Sequence, residues 1–321
     1  ANDLVKKHHD DFKGGRSLKL PSRITLCEVG LRDGLQNETR ILQTSEKLEL
    51  VNDLIAAGFK VIELGSFVSP KAVPQMADTD KLFSHLNNTD GVELRALIAN
   101  KKGIERAINC GCRKVKLNVS ASRKHNLANL NKTPEESVAG FEEIVNLAGQ
   151  HGIEVSGSIS MPFGSPWEGN IPLESVQSVV EAYLNVGITE ISLSDASGMA
   201  VPNQVYSICS SMQERYPQVK WWLHFHNTRG MAMANILASM QAGITPFDSS
   251  FAGLGGCPFI PGAAGNVPSE DVVHMMDEMG IETGIDIVRL IELSRKVRHM
   301  VGHDTDSFIL KAGISKDLYK M

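Results

Sequence analysis

At 321 residues, with a net charge of −5, 42% hydrophobic and 21% charged residues, the chain has ordinary globular usage, which excludes disordered and fibrous classes. The length suits one large α/β barrel, a fold that commonly runs to about 250 residues plus insertions. Apart from Lys6-Lys7-His8-His9 there is no dense basic block, so no nucleic-acid partner is expected.

In chain order, residues 1–20 read as a polar N-terminal extension without the apolar core of a secretory signal. Short β-branched or apolar runs follow near 24–29, 60–65, 92–98, 113–119, 153–160, 188–194, 219–226 and 245–251, separated by segments of helical period. Strands that alternate with helices make βα units and a parallel sheet, and eight of them predict a (β/α)8 barrel over 21–301. A last long helix is expected at 286–301, leaving 302–321 as a C-terminal tail. Gly58, Gly111, Gly152, Gly187 and Gly243 each stand just before a strand, where a helix end takes a left-handed residue. Their uneven spacing marks units of one barrel and not a solenoid. Five cysteines, few and odd in number, fit a reducing, cytoplasmic setting, and no run of about 18 apolar residues marks a membrane span.

Side chains on a strand alternate faces, and the outer face of a barrel must be apolar to meet its helices. On the seventh strand Trp221, Leu223 and Phe225 fall outward, so Trp222, His224 and His226 fall inward. The same parity turns Lys114, Lys116 and Asn118 inward on the fourth strand, Ser192 and Ser194 on the sixth, Glu63 on the second and Glu28 on the first. A structural barrel fills its interior with Val, Ile and Leu; this polar interior points to chemistry at the C-terminal mouth.

His224-Phe225-His226 aims two imidazoles the same way, a pattern that serves a cation or two hydrogen-bonded interior histidines. Asp33, just after the first strand, and Asn266, after the eighth, converge on that pair in a closed barrel. Each also has a plain reading, Asp33-Gly34 as a turn and Asn266 as the N-cap of a helix beginning near Pro268. Two nitrogens and two oxygens without a thiolate suit Mg²⁺ or Mn²⁺, with Zn²⁺ as an alternative. The glycine-rich segment from Gly253 to Asn266 can bring backbone close to a substrate, and Cys257 within it is a candidate acid/base thiol. Cys110-Gly111-Cys112 lacks a partner pair and reads as buried thiols.

Four stretches in this order, Glu28-Val29-Gly30-Leu31-Arg32-Asp33-Gly34-Leu35-Gln36-Asn37-Glu38, Ser66 to Met76, His224-Phe225-His226-Asn227-Thr228 and Gly253-Leu254-Gly255-Gly256-Cys257-Pro258, resemble the 3-hydroxy-3-methylglutaryl-CoA (HMG-CoA) lyase family. The resemblance runs from about residue 23 to about residue 290. It implies a metal-dependent TIM-barrel lyase that cleaves an acyl-CoA substrate to acetyl-CoA and a keto acid, and it suggests a homodimer. It implies Asp33, His224, His226 and Asn266 as metal ligands, Arg32 as the cation that steadies the developing enolate, and Cys257 as the catalytic loop cysteine. Glu63, Asp195 and Glu270 match acidic residues of the family's active region, with Asp33 and His224 also counted as catalytic. Ser66 and Arg229 are read with Arg32 as substrate contacts.

A chelated cation lowers the pKa of the tertiary hydroxyl, and a fixed guanidinium stabilises charge that exists only in the transition state. His226 or Asp33 can take the hydroxyl proton and Cys257 can protonate the enolate; the sequence does not choose among them. The chain departs from the animal lyases at Asn227 and Arg229, and at Ser194-Asp195-Ala196-Ser197-Gly198, which bears on the substrate. Citramalyl-CoA is the nearest alternative, since a methylene is worth only about 1–3 kcal/mol of discrimination. The isopropylmalate and homocitrate synthases carry Gly-x-Gly-Glu-Arg where this chain has Gly253 to Cys257, and a non-catalytic metal-binding barrel would tolerate loss of Arg32 or Cys257.

Overall fold

A computed structural model describes residues 18–86, 89–256 and 264–317. Eight parallel strands close into a barrel in sequence order: β1 (Thr25–Glu28), β2 (Val61–Ser66), β3 (Glu93–Ile98), β4 (Lys114–Ser120), β5 (Glu154–Ser160), β6 (Glu190–Asp195), β7 (Lys220–Phe225) and β8 (Pro246–Ser249). β1 pairs with β8 from Thr25↔Pro246 to Glu28↔Ser249, which completes the ring and confirms the eight-unit reading. The helices between strands lay their apolar faces on the outside of the barrel. Trp221, Leu223 and Phe225 are buried there, as strand parity requires.

Local signals set the helix ends. The helix Thr44–Ala57 begins with a capping box between Gln43 and Glu46 and stops at Gly58, whose φ of +108° suits glycine. A β-carbon at Gly58 would also lie 2.3 Å from the Gly284 carbonyl oxygen. The long helix Ile287–Val301 is capped by Asp286, which accepts from Val288 N and Arg289 N. Past it, the helix Phe308–Ala312 is tied down by Asp271 of the helix Ser269–Glu278, which accepts from Ser307 Oγ, Phe308 N and Ile309 N. Ile309 and Leu310 are buried, so this part of the expected tail packs on the barrel.

The barrel interior has its own layers. Toward the N-terminal ends of the strands, Arg95 and Lys114 pair with Glu93 and Glu190, and Arg95 lies 4.7 Å over the Trp222 ring. Cys27, Val29, Val61 and Trp222 form an apolar cluster apart from the main core. That cluster reverses the expectation for β1: Cys27 and Val29 point inward, so Glu28 points outward. The outward carboxyl group is buried with no cation beside it among the described residues, and accepts instead from Gly30 N (2.8 Å), Phe251 N (2.9 Å) and Ser269 Oγ (2.6 Å).

Candidate active site

After β1 the chain winds a tight π-helical turn, Gly30–Gly34, in which Arg32 N, Asp33 N and Gly34 N all donate to Val29 O at 3.0, 2.8 and 3.3 Å. The turn buries both Arg32 and Asp33 at the C-terminal mouth of the barrel. β7 delivers His224, and His226 follows one residue past its end, where it bridges to Asn266. Asp33 Oδ2 stands 3.2 Å from His226 Nε2, 3.9 Å from His224 Nε2 and 2.7 Å from Asn266 Nδ2. The four residues expected to converge do so across as many as 233 positions of sequence. Asn266 does not cap the following helix, whose N-cap is Pro268.

The electrostatics form a closed ring. Arg32 donates from Nη1 to Asp33 and from Nε to Glu63. Lys116 Nζ lies 2.8 Å from Glu63 Oε2 and 3.0 Å from Asp248 Oδ2, and Asp248 Oδ2 meets His224 Nδ1 at 3.2 Å. His224 Nε2 faces Asp33 and closes the circuit. Burial by itself would raise the Asp33 carboxyl, but the Arg32 guanidinium and the two histidines hold it well below the usual carboxylate range. Burial likewise opposes charge on Lys116, yet Asp248 and Glu63 keep its ammonium protonated far above neutrality.

These residues fit a divalent cation. Donor atoms of Asp33, His224 and His226 lie within 4.8 Å of one another, all buried. Asn266 Oδ1 is buried beside them with no hydrogen-bond partner among the described residues, an acceptor available to a metal. Three carboxylates (Asp33, Glu63, Asp248) against two cations (Arg32, Lys116) leave the ring one negative charge in excess. The Asp248 contact directs the Nδ1 proton of His224 away and leaves Nε2 for a ligand, an arrangement common around bound metals.

The mouth opens into a cavity of ≈ 730 Å³, lined in part by Arg32, Asp33, Ser66, Asn129, His224 and His226. Glu63 is fully buried beneath it. The Asp195 carboxylate accepts from Ser197 Oγ (2.9 Å), Met199 N (3.1 Å) and Ala200 N (3.0 Å), holding the turn after β6, and its backbone oxygen accepts from His226 N at 3.2 Å. Burial raises its carboxyl pKa. Arg229 is exposed and donates to Ser197 O (3.1 Å) and Gly198 O (3.3 Å), so it pins the same turn. Glu270 sits behind β8 and accepts from Ala252 N (3.1 Å) and Ser294 Oγ (2.9 Å). Cys257 lies outside the described residues. Sequence reasoning overlooked Asp248 and gave inward-facing Lys116 no role; the β7–β8 register, which sets His224 against Asp248, is the signal that finds them.

The HMGL-like family model matches residues 23–297. The hydroxymethylglutaryl-CoA lyase of Arabidopsis thaliana mitochondria is 41% identical over 288 residues, 90% of this chain and 62% of that longer protein. The 3-hydroxy-3-isohexenylglutaryl-CoA/hydroxy-methylglutaryl-CoA lyase of Pseudomonas aeruginosa is 38% identical, covering 93% of this chain and all of its own length. The (R)-citramalyl-CoA lyase of Chloroflexus aurantiacus is 39% identical over 90% of this chain and 95% of its own. An HMG-CoA lyase from Acinetobacter baumannii, solved with coenzyme A and 3-methylmalate, superposes with a TM-score of 0.89 at 43% identity, over 94% of this chain and 98% of that one. With its whole barrel matched and these lyases aligned along nearly all its length, the chain belongs to the HMGL-like family.

Proposed function

We propose that this chain is a carbon–carbon lyase that cleaves 3-hydroxy-3-methylglutaryl-CoA to acetyl-CoA and acetoacetate with Mg²⁺ or Mn²⁺ held by Asp33, His224, His226 and Asn266. The observation that carries the reading is the placement of a rigid guanidinium, Arg32, beside a convergent N/O donor set at one end of a cavity. A bound divalent cation supplies Lewis-acid polarisation of the tertiary hydroxyl. The chain's own residues do the rest. His226 or Asp33 takes the hydroxyl proton, the carbon–carbon bonding pair passes to the thioester side, and the keto acid forms as the enolate of acetyl-CoA departs. Arg32, locked by Glu63 and Asp33, needs no reorganisation to stabilise that enolate oxygen. Cys257 returns a proton to the enolate carbon, so atoms balance without a redox partner. Ser66 borders the cavity as a substrate contact. Arg229 acts on the substrate side through the loop it braces after β6. A homodimer in the cytoplasm completes the reading, in keeping with four buried free cysteines among the described residues.

A second reading, cleavage of citramalyl-CoA to acetyl-CoA and pyruvate, is favoured by the Chloroflexus relative's near-equal similarity. Turnover of both thioesters, with Mg²⁺, with Mn²⁺ and with EDTA, separates the two. Metal-dependent acetyl-CoA release from HMG-CoA, lost in Arg32→Ala, is the expected result; release from citramalyl-CoA alone selects the second reading, and release from neither rejects both.

A further inference from the structure

Lys116 is buried at the barrel mouth and is not among the described residues that line the cavity. Its ammonium nevertheless sits between two carboxylates that serve different halves of the site. Glu63 uses Oε1 to hold Arg32 Nε, while Asp248 uses Oδ2 to meet His224 Nδ1. Among the described residues Glu63 Oε2 accepts no well-aligned hydrogen bond and Asp248 Oδ1 accepts none. Without Lys116, two buried like charges would face each other with no second group to fix either. We propose that Lys116 is a positioning residue for the cleavage reaction, joining the carboxylate that aims Arg32 to the carboxylate that orients His224 so that both halves of the site are held as one unit.

The inference rests on the lyase reading for its kinetic arm and is independent of it in its metal arm. Lys116→Met keeps the length of the stem and removes the charge; Lys116→Gln, made alongside, keeps a hydrogen-bonding head. Mn²⁺ affinity of the purified protein without substrate is read by electron paramagnetic resonance, then kcat and KM on the preferred thioester. The expected result is a kcat lower by about 30-fold, a KM within about threefold, and Mn²⁺ binding about tenfold weaker, the usual scale for groups behind metal ligands. The Mn²⁺ loss in Lys116→Met should also be non-additive with that in Asp248→Asn, because one chain of contacts carries both. Folded variants with kcat and Mn²⁺ affinity within about threefold of wild type would overturn the proposal, as would additive losses. If neither variant folds, Lys116 serves stability alone and the proposal falls. A wild type that binds Mn²⁺ yet cleaves neither thioester rejects the lyase reading and leaves the Mn²⁺ comparison to decide Lys116.

Discussion

Replacing Glu28 with glutamine separates the charge of this carboxyl from its hydrogen bonds. Burial raises its pKa from 4.5 to about 8, against the pull of hydrogen bonds from Ser269, Phe251 N and Gly30 N. Between these two values the folded protein keeps a proton that the unfolded chain releases, so stability falls as pH rises through this window. The slope is about 1.4 kcal/mol per pH unit, which makes roughly 3 kcal/mol between about pH 5.5 and pH 8. With an unfolding entropy of about 2 cal/mol/K per residue, that corresponds to a Tm change of roughly 5 °C for a chain of this size. Glutamine can accept both N–H groups on its carbonyl oxygen and donate to Ser269 Oγ, which in turn donates to Ser249 Oγ at 2.8 Å. Glu270, itself raised by burial to about 7, also raises Glu28 through its charge, so the difference between wild type and variant reads Glu28 together with that coupling. Thermal unfolding followed by circular dichroism across this range should show the Tm of Glu28→Gln gaining on that of the wild type by roughly 5 °C as pH rises. A difference that stays constant, or shrinks, refutes the reasoning.

Gly255 has φ +123°, and a β-carbon there would lie 2.4 Å from Asn266 Nδ2 and 3.1 Å from Asp33 O. Gly255→Ala should therefore displace two proposed metal ligands and weaken Mn²⁺ binding by at least about tenfold, a change read by titration; unaltered binding counts against those ligands. Asp248→Asn removes the charge that orients His224 and should lower Mn²⁺ affinity and kcat by about 10–100-fold, with KM little changed in steady-state assays.

The strand positions and the long helix 286–301 were legible because alternation and helical period are local properties, repeated eight times along the chain. Inward placement of His224 and Lys116 followed from the same alternation. Glu28 was misread because a short strand flanked by Cys27 and Val29 gives both faces buried neighbours; the deciding contacts come from Val61 and Trp222. Asp195 was matched by motif, and the contacts its carboxylate makes to the backbone of its own turn were not legible in that match.

By itself the sequence determined eight βα units, a polar mouth and the donor types of the candidate metal site, since each depends on residue identity and short-range period. Only the tertiary structure decided which acids share that mouth. Lys116 meets Asp248 across 132 positions, and no local pattern encodes such a pairing. Barrel closure and strand register create it, and in doing so turn separate charged residues into one ring with a single negative charge in excess, which a cation can balance.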